Sequence, residues 1–247
     1  MLYFCKHYTR IIMNEYAIEI NGLSKIIKKR KILNNIFIKF PKGKVVGFLG
    51  PNGSGKTTTF KCILNLVNFE GTIKLSGIDN KICPLESIGK VGAIIEEPCF
   101  YYNMTGYKNL LIASEYYDCI PEKRISYLID LFDMNHYINQ KVKNYSLGMK
   151  QRLGIAMSMI HSPEILILDE PMNGLDPEGI RDLRCILKKL CLEEEKTIVV
   201  SSHILSEMQL LCDEVVFIKN GEIIGCERVN ETLEDRYLAV IGTKGER

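Results

Sequence analysis

The sequence predicts an α/β protein in which a core of strands and crossover helices is interrupted by a helical insert. Three observations predict this class. A short apolar strand runs into a glycine-rich loop and a helix over residues 44–66, residues 107–161 carry apolar side chains at helical spacing, and buried strands alternate with helices after residue 165. The chain has 247 residues, 46% of them hydrophobic and 25% charged, so it can bury a sizeable core.

The predicted strands are short apolar or alternating runs. They lie at residues 16–20, 36–40, 44–49, 71–76, 165–168, 197–200, 215–219 and 222–224. We expect strand 16–20, which alternates apolar and polar residues, at a sheet edge. Asn220-Gly221, between the last two strands, is the strongest short signal for a hairpin.

The predicted helices have apolar residues three and four positions apart. They lie at residues 56–66, 107–117, 122–132, 178–192 and 206–212. Pro121 stands just before one of them, where a helix start tolerates proline. Strands, then helices, then strands with crossover helices indicate an α/β core with an inserted helical segment.

Charge and hydropathy narrow the classes of function. The net charge of +2 is too small to indicate nucleic-acid binding, and we interpret the basic run at residues 25–31 as a solvated turn between two strands. No apolar run approaches the ~20 residues that span a bilayer, so we expect any membrane role to come through a partner. Residues 1–12 lack the apolar block of a secretory signal, and Met13 is a candidate start.

The nine cysteines form no C-x-x-C pair, and their odd number argues against a closed disulfide framework. Six stand in apolar or helical contexts, Cys62, Cys185 and Cys212 among them, which predicts small core side chains in a reducing compartment. No spacing of the cysteines suits a zinc site.

The residues after strand 44–49 match the pattern G-x-x-x-x-G-K-[ST] in full. They are Gly50, Pro51, Asn52, Gly53, Ser54, Gly55, Lys56 and Thr57. The glycines let backbone N–H groups turn inward around a phosphate, and the helix N-terminus adds partial positive charge. Lys56 is predicted to reach the β- and γ-phosphates and Thr57 to ligate Mg²⁺, with Thr58 beside them. A strand before this phosphate loop and a helix after it predict a P-loop NTPase (RecA-like) core.

Strand 165–168 consists of four apolar residues and ends in Asp169 and Glu170. A buried strand that ends this way puts its carboxylates at the carboxyl edge of the sheet, beside the phosphate loop. Asp169 is predicted to hold Mg²⁺, directly or through water, and Glu170 to polarise the water that attacks the γ-phosphate. Together the two motifs predict an NTPase without saying which kind.

A third motif narrows the class. It reads Tyr145-Ser146-Leu147-Gly148-Met149-Lys150-Gln151-Arg152 and precedes the acidic strand. This segment resembles the signature motif of ATP-binding-cassette (ABC) ATPases, with Leu147 in place of the first glycine and Met149 in place of the glutamine. Ser146 and the N–H groups that open a helix at Gly148 make an anion site, and the resemblance implies that this site faces the γ-phosphate held by the opposite subunit.

Further stretches follow in the family's order. Residues 173–176, ending in Asp176, resemble the D-loop that crosses the dimer interface, and His203 resembles the switch histidine that contacts the γ-phosphate. Glu96 occupies the position where most members carry the Q-loop glutamine, so we place it among the nucleotide- and metal-binding residues. Ile27 stands where members usually stack an aromatic ring on adenine. An aliphatic side chain loses the ring–ring energy of ~1–3 kcal/mol, which leaves nucleotide selectivity open.

The resemblance covers about residues 16–235 and implies one ABC ATPase domain at 14–247, with its core at 14–95 and 158–247. An antiparallel β subdomain belongs to this core, the helical insert lies at about 98–157, and residues 1–13 form an N-terminal extension unless Met13 is the start. The implied catalytic residues are Lys56, Glu170 and His203.

The implied activity is Mg²⁺-dependent ATP hydrolysis by a homodimer that forms on ATP binding. Glu96 and the Ser-Leu-Gly-Met-Lys-Gln-Arg form of the signature look like the ATPase subunits of bacitracin and lantibiotic self-protection exporters. That resemblance implies a separate integral-membrane permease, a cytoplasmic location on the inner face of the membrane, and no nucleic-acid partner.

Two alternatives remain at this point. A soluble ABC-type ATPase acting on ribosomes or DNA is less favoured, because such proteins usually carry two cassettes or a long coiled coil. A P-loop kinase or GTPase is disfavoured by the signature segment and by His203. The cargo is not given by the sequence, since it binds the permease.

Overall fold

Two β-sheets form the framework of the protein, and the computed structural model describes it over residues 15–229. The predicted extension at residues 1–13 and the residues after 229 lie outside this described part. The strands are β1 (Tyr16–Ile27), β2 (Arg30–Pro41), β3 (Val45–Leu49), β4 (Glu70–Leu75), β5 (Ile78–Asp79), β6 (Val91–Ile94), β7 (Ile165–Leu168), β8 (Thr197–Ser202), β9 (Glu214–Lys219) and β10 (Glu222–Arg228).

Seven α-helices accompany the sheets in the described part of the chain, together with a 3-10 helix at Val142–Asn144. The α-helices are α1 (Lys56–Ile63), α2 (Pro84–Ile88), α3 (Gly106–Ser114), α4 (Glu122–Leu131), α5 (Leu147–Ser158), α6 (Pro177–Glu194) and α7 (Leu205–Leu211). The helices α3, α4 and α5 stand between β6 and β7, as the helical insert predicts. The domain boundaries themselves stay a prediction.

The larger sheet has the strand order β10-β9-β3-β8-β7-β6, and all of its neighbours from β9 to β6 are parallel. Successive residues of a strand face opposite sides, and here both sides are covered. Val46 and Phe48 pack with α1 and the smaller sheet, whereas Val45 and Leu49 pack with the other helices. Burial on both faces explains why these strands are continuous apolar runs. Their carboxyl ends meet at one edge, where the phosphate loop begins.

The smaller sheet is antiparallel and has the order β2-β1-β4-β5. Strand β1 pairs with β2 on one side and with β4 on the other, so the prediction that it lies at an edge is wrong. Its alternation of apolar and polar residues reflects one buried and one exposed face of the sheet, which is independent of edge position.

Glycine at position 92 permits a close approach between β6 and the end of α5. A Cβ atom there would lie 2.2 Å from the Ser158 carbonyl oxygen, too short for any side chain. Leu153, Ile155 and Ala156 of α5 are buried in the same region. This contact joins the helical insert to the edge strand of the parallel sheet.

The remaining sequence predictions have mixed outcomes. The hairpin at Asn220-Gly221 is confirmed, and both residues have positive φ (51° and 77°), as a two-residue turn of this kind requires. Cys62 and Cys212 are buried as predicted, but Cys185 is exposed, so its assignment to the core is wrong. The strands β5 and β6 and the helix α2 were not predicted, because each is five residues or fewer and shows no periodicity.

Candidate nucleotide-binding and catalytic site

The phosphate loop connects β3 to α1 at the carboxyl edge of the parallel sheet. Gly53 and Gly55 have φ of 77° and 112°, conformations that side chains rarely adopt, and α1 begins directly after them at Lys56. A Cβ at Gly50 would lie 2.2 Å from the Ile218 carbonyl oxygen, so only glycine fits between the loop and β9. The first N–H groups of a helix have no partner within the helix, which makes this turn suited to an anion.

Lys56 is buried, with 5% of its surface exposed, and its ammonium group is folded back onto the loop. Its Nζ atom donates to the Gly50 carbonyl oxygen at 2.7 Å and lies 3.4 Å from Oε1 of Glu170. A buried cation is stable only when paired in this way. The ammonium group therefore stands at the centre of the loop with a carboxylate beside it.

Asp169 and Thr57 are in direct contact. Thr57 Oγ1 donates to Asp169 Oδ2 at 2.6 Å, and Ser201 Oγ donates to Asp169 Oδ1 at 2.5 Å. Asp169 is almost fully buried, at 6% exposure. Thr57 and Asp169 thus lie together, and both carboxylate oxygens accept from hydroxyl groups; their binding of a metal stays a prediction.

Glu170 is surrounded by donors. Asn173 Nδ2 donates to its Oε2 at 2.6 Å, His203 Nδ1 lies 2.8 Å from the same oxygen, and Lys56 faces the other one. Burial alone raises the pKa of this carboxyl, but Asn173, Lys56 and His203 together outweigh it and leave the pKa below its ordinary value. Glu170 is therefore ionised at neutral pH and able to accept a proton.

A cavity of about 510 Å³ opens over the phosphate loop. Its lining comprises Arg30, Lys31, Ile32, Asn52, Gly53, Gly55, Lys56, Thr57, Thr58, Glu170 and Asn220. Two residues of the basic run 25–31, Arg30 and Lys31 at the start of β2, thus bring positive charge to this cavity. The run was predicted to be a solvated turn, but only Lys28 and Lys29 form the turn, and the other residues belong to β1 and β2. Ile27 lies at the end of β1, on the same hairpin, with 43% of its surface exposed, and it is not among these lining residues. Its contact with adenine stays a prediction.

The signature segment forms a second cavity, of about 310 Å³, which shares no lining residue with the first. Ser146 caps α5 by accepting from the N–H of Met149 at 3.2 Å, and Asp176 caps α6 by accepting from the N–H of Gly179 at 2.9 Å. Both helix starts face this cavity, together with Gly148. A single chain therefore keeps the signature residues apart from its own phosphate loop.

Glu96 lies just past β6, with φ of 65° and a side chain that is 65% exposed. Its Oε1 atom is 2.7 Å from Nζ of Lys61, which stands one helical turn beyond Thr57 on α1. Glu96 is thus paired with a lysine of α1, and it is not among the residues that line the cavity over the phosphate loop. Its role in nucleotide and metal binding stays a prediction.

Tertiary structure gathers the predicted residues from three strand ends: Lys56 and Thr57 after β3, Asp169 and Glu170 after β7, and His203 after β8. Sequence reasoning did not place Ser201 in the site, and it named Asn173 only as the first residue of the D-loop stretch, not as a partner of Glu170. Their position beside or within the motifs was the available signal, since serine and asparagine are common in loops.

Comparison with known proteins agrees with this geometry. The ABC transporter family (ABC_tran) matches residues 33–173, more than half of the chain. The bacitracin transport ATP-binding protein BcrA of Enterococcus faecalis is 41% identical over 221 residues, which cover 89% of this chain and 71% of that protein. The lantibiotic transport ATP-binding protein SrtF of Streptococcus pyogenes is 42% identical over 228 residues, covering 90% and 97%.

Among solved structures, the ATP-binding subunit of an ABC transporter superposes with a TM-score of 0.78 at 26% identity, covering 93% of this chain and 95% of that one. This likeness confirms the predicted fold class, an α/β core of the P-loop NTPase type with inserted helices. Family match, relatives and fold agree, so the chain belongs to the ABC transporter family and is an ATP-binding-cassette ATPase.

Proposed function

We propose that ATP hydrolysis by this chain powers a separate integral-membrane permease that protects the cell from a peptide antibiotic such as a lantibiotic or bacitracin. The observation that carries this proposal is the similarity to SrtF and BcrA, proteins named for lantibiotic and bacitracin transport. The alignment with SrtF spans 97% of that protein, so the similarity extends well beyond the ATPase motifs.

ATP is proposed to bind in the cavity over the phosphate loop. Lys56 stands where it can release the Gly50 carbonyl and bind the β- and γ-phosphates, and the start of α1 adds N–H donors. Arg30 and Lys31 add positive charge at the rim of the cavity. Substrate binding thus replaces contacts within the loop by contacts to phosphate oxygens.

The residues present fit Mg²⁺. The Thr57 hydroxyl and the Asp169 carboxylate are hard oxygen donors in contact with each other, and Mg²⁺ in nucleotide sites takes one or two such protein ligands together with phosphates and water. Within residues 15–229, no cluster of three or more His, Cys, Asp or Glu could hold a metal unaided. A bound Mg²⁺ would neutralise charge on the phosphates during hydrolysis.

Glu170 is proposed to accept the proton of the attacking water. It is ionised at neutral pH, and its carboxylate lies beside Lys56, hence beside the proposed position of the γ-phosphate. Asn173 and His203 hold Oε2, which leaves the carboxylate with one defined orientation. The His203 side chain is 38% exposed, and we propose that it contacts the γ-phosphate once it leaves Glu170.

The site is proposed to be completed by a second copy of the chain. Ser146 and Gly148 line a cavity that shares no residue with the cavity over the phosphate loop, which supports their contacting the γ-phosphate held by another subunit. We expect a Glu170→Gln variant saturated with Mg-ATP to form a dimer in light scattering and wild type without nucleotide to be a monomer or weak dimer. A monomeric Glu170→Gln variant under these conditions would refute this arrangement.

The described residues contain no helix long and apolar enough to cross a membrane. We propose that the chain works on the inner face of the membrane, bound to its permease. Disrupting the gene should sensitise its host to a lantibiotic or to bacitracin, and wild type but not Lys56→Ala should restore protection. Purification of the tagged chain from membranes should recover an integral-membrane protein. Unchanged susceptibility together with recovery of ribosomes or DNA would support the alternative function instead.

A further inference from the structure

Ser201 occupies the junction between the two strands that carry the catalytic carboxylates. It lies near the end of β8, fully buried, and β8 pairs in parallel with β7 so that Val200 is opposite Leu168. Ser201 follows Val200 on β8, and Asp169 follows Leu168 directly after the end of β7. Register thus brings a serine hydroxyl against the acidic pair at the edge of the sheet.

The Ser201 hydroxyl makes two hydrogen bonds, one to each acidic residue. Its Oγ donates to Asp169 Oδ1 at 2.5 Å and accepts from the backbone N–H of Glu170 at 2.8 Å. A hydroxyl has one proton to give, and that proton is committed to Asp169. No other hydrogen bond of this hydroxyl, or to Oδ1 of Asp169, is found among the described residues.

The two hydrogen bonds of Ser201 restrict the orientation of the Asp169 carboxylate and of the Glu170 backbone. Asp169 Oδ2 is held by Thr57 and Oδ1 by Ser201, so two hydroxyls define the plane of the carboxylate. Glu170 has a φ of 48°, the left-handed region that non-glycine residues seldom adopt and that persists only when its surroundings enforce it. Ser201 Oγ accepts a hydrogen bond from the backbone N–H of this strained residue.

We infer that Ser201 is a positioning residue for the hydrolytic site: it orients Asp169 towards the metal and fixes the backbone from which Glu170 reaches the attacking water. This inference rests on the proposed roles of Asp169 and Glu170. It goes beyond them because it gives Ser201, a residue of β8, a role in positioning the two carboxylates that follow β7.

The test compares three substitutions in the full-length protein. Ser201→Ala removes the hydroxyl, Ser201→Cys keeps nearly the same volume but bonds weakly, and Ser201→Thr restores the hydroxyl on a residue that suits a strand. Ser158→Ala is the matched control, because over residues 15–229 its hydroxyl donates only to the Ile155 carbonyl oxygen within α5. Three quantities are measured: the affinity for Mn²⁺ of the protein–ADP complex by electron paramagnetic resonance, nucleotide binding in EDTA, and kcat for ATP.

We expect Ser201→Ala and Ser201→Cys to weaken Mn²⁺ binding and to lower kcat by about 10-fold or more, the size expected when a hydrogen bond to a charged group is lost. Nucleotide binding in EDTA should change less than about 3-fold, since phosphate contacts come from the loop. Ser201→Thr should recover most of the loss, and Ser158→Ala should show none.

Unchanged Mn²⁺ affinity and kcat in a folded Ser201→Ala protein would overturn the inference and leave Ser201 a space-filling residue. If the alanine variant does not fold, Ser201→Cys decides the matter by the same measurements. These measurements use purified protein without permease or antibiotic. Their outcome therefore tests the role of Ser201 separately from the proposal that the chain powers antibiotic transport.

Discussion

Replacing Glu96 by glutamine separates a role in ATP hydrolysis from a role in coupling to the permease. The change removes one negative charge and keeps the side-chain length, so the strained backbone at φ 65° is equally strained in both proteins. What is lost is the ion pair with Lys61, which joins two side chains that are 65% and 34% exposed. We propose that this charge serves contact with a basic or hydrogen-bond-donating residue of the permease.

The energy of the ion pair between Glu96 and Lys61 can be bounded from the exposure of the two side chains. An ion pair between exposed side chains contributes about 0.2–1 kcal/mol, because water and salt screen it. At most ~1 kcal/mol corresponds to roughly a 5-fold change in a rate or binding constant. It also corresponds to a melting-temperature shift of ~2–4 °C for a chain of this size. We therefore expect Glu96→Gln to keep the basal ATPase rate of the isolated subunit within about 5-fold of wild type.

We expect the coupling of ATP hydrolysis to the permease to be more sensitive to Glu96→Gln than basal hydrolysis is. The same variant should give markedly weaker protection against the antibiotic when it replaces wild type in cells. The matched control is Lys61→Gln, which breaks the same ion pair but keeps the Glu96 charge, so it should cost similar stability and leave protection intact. The assays are phosphate release by the purified subunit, calorimetric melting, and growth inhibition in cells that express equal amounts of each protein.

Two results would refute this reasoning. Full protection in Glu96→Gln cells would show that the charge is a tolerated near-isostere. A collapse of basal hydrolysis by ~100-fold would place Glu96 in the chemistry, as a ligand or as a group that orients water, since an exposed ion pair cannot account for such a loss.

Three further outcomes are expected. Lys56→Ala should abolish nucleotide binding or turnover, measured by fluorescent-nucleotide titration and phosphate release, because it removes the buried cation of the phosphate loop; normal turnover would contradict its proposed role. Glu170 has a lowered folded pKa, so its stabilisation is present above the unfolded value near 4.5 and is lost as pH falls through the folded pKa. The melting temperature of Glu170→Gln relative to wild type should therefore stay constant from pH 7 to about 5 and rise below it, as pH passes 4.5 towards the folded pKa, and a constant difference over that lower range would count against the pairing. Gly92→Ala should destabilise the protein by about 1–3 kcal/mol in urea, since its Cβ would overlap the Ser158 carbonyl oxygen, whereas Gly225→Ala, with ordinary contacts at 3.5 Å, should change little.

The order of residues alone was enough to predict the phosphate loop, the acidic pair and the helix start at Ser146. Each of these depends on neighbours within a few residues: glycines that permit positive φ, a serine that caps the helix following it, an apolar run that ends in carboxylates. Neighbouring residues fix local geometry of this kind. The residues of the candidate site could therefore be predicted without knowing how the sheets are arranged.

Which side chains meet across strands depends on tertiary contacts and could not be predicted from the order of residues. The place of β1 between two neighbours, the contact of Ser201 with Asp169, and the pairing of Glu96 with Lys61 follow from strand order and register. Strand order depends on how helices and sheets cover one another's apolar faces, and an alternating run satisfies that requirement equally well at the edge or in the middle of a sheet. For the same reason His203, predicted to contact the γ-phosphate, is found beside Glu170, because two parallel strands far apart in the chain end at the same edge.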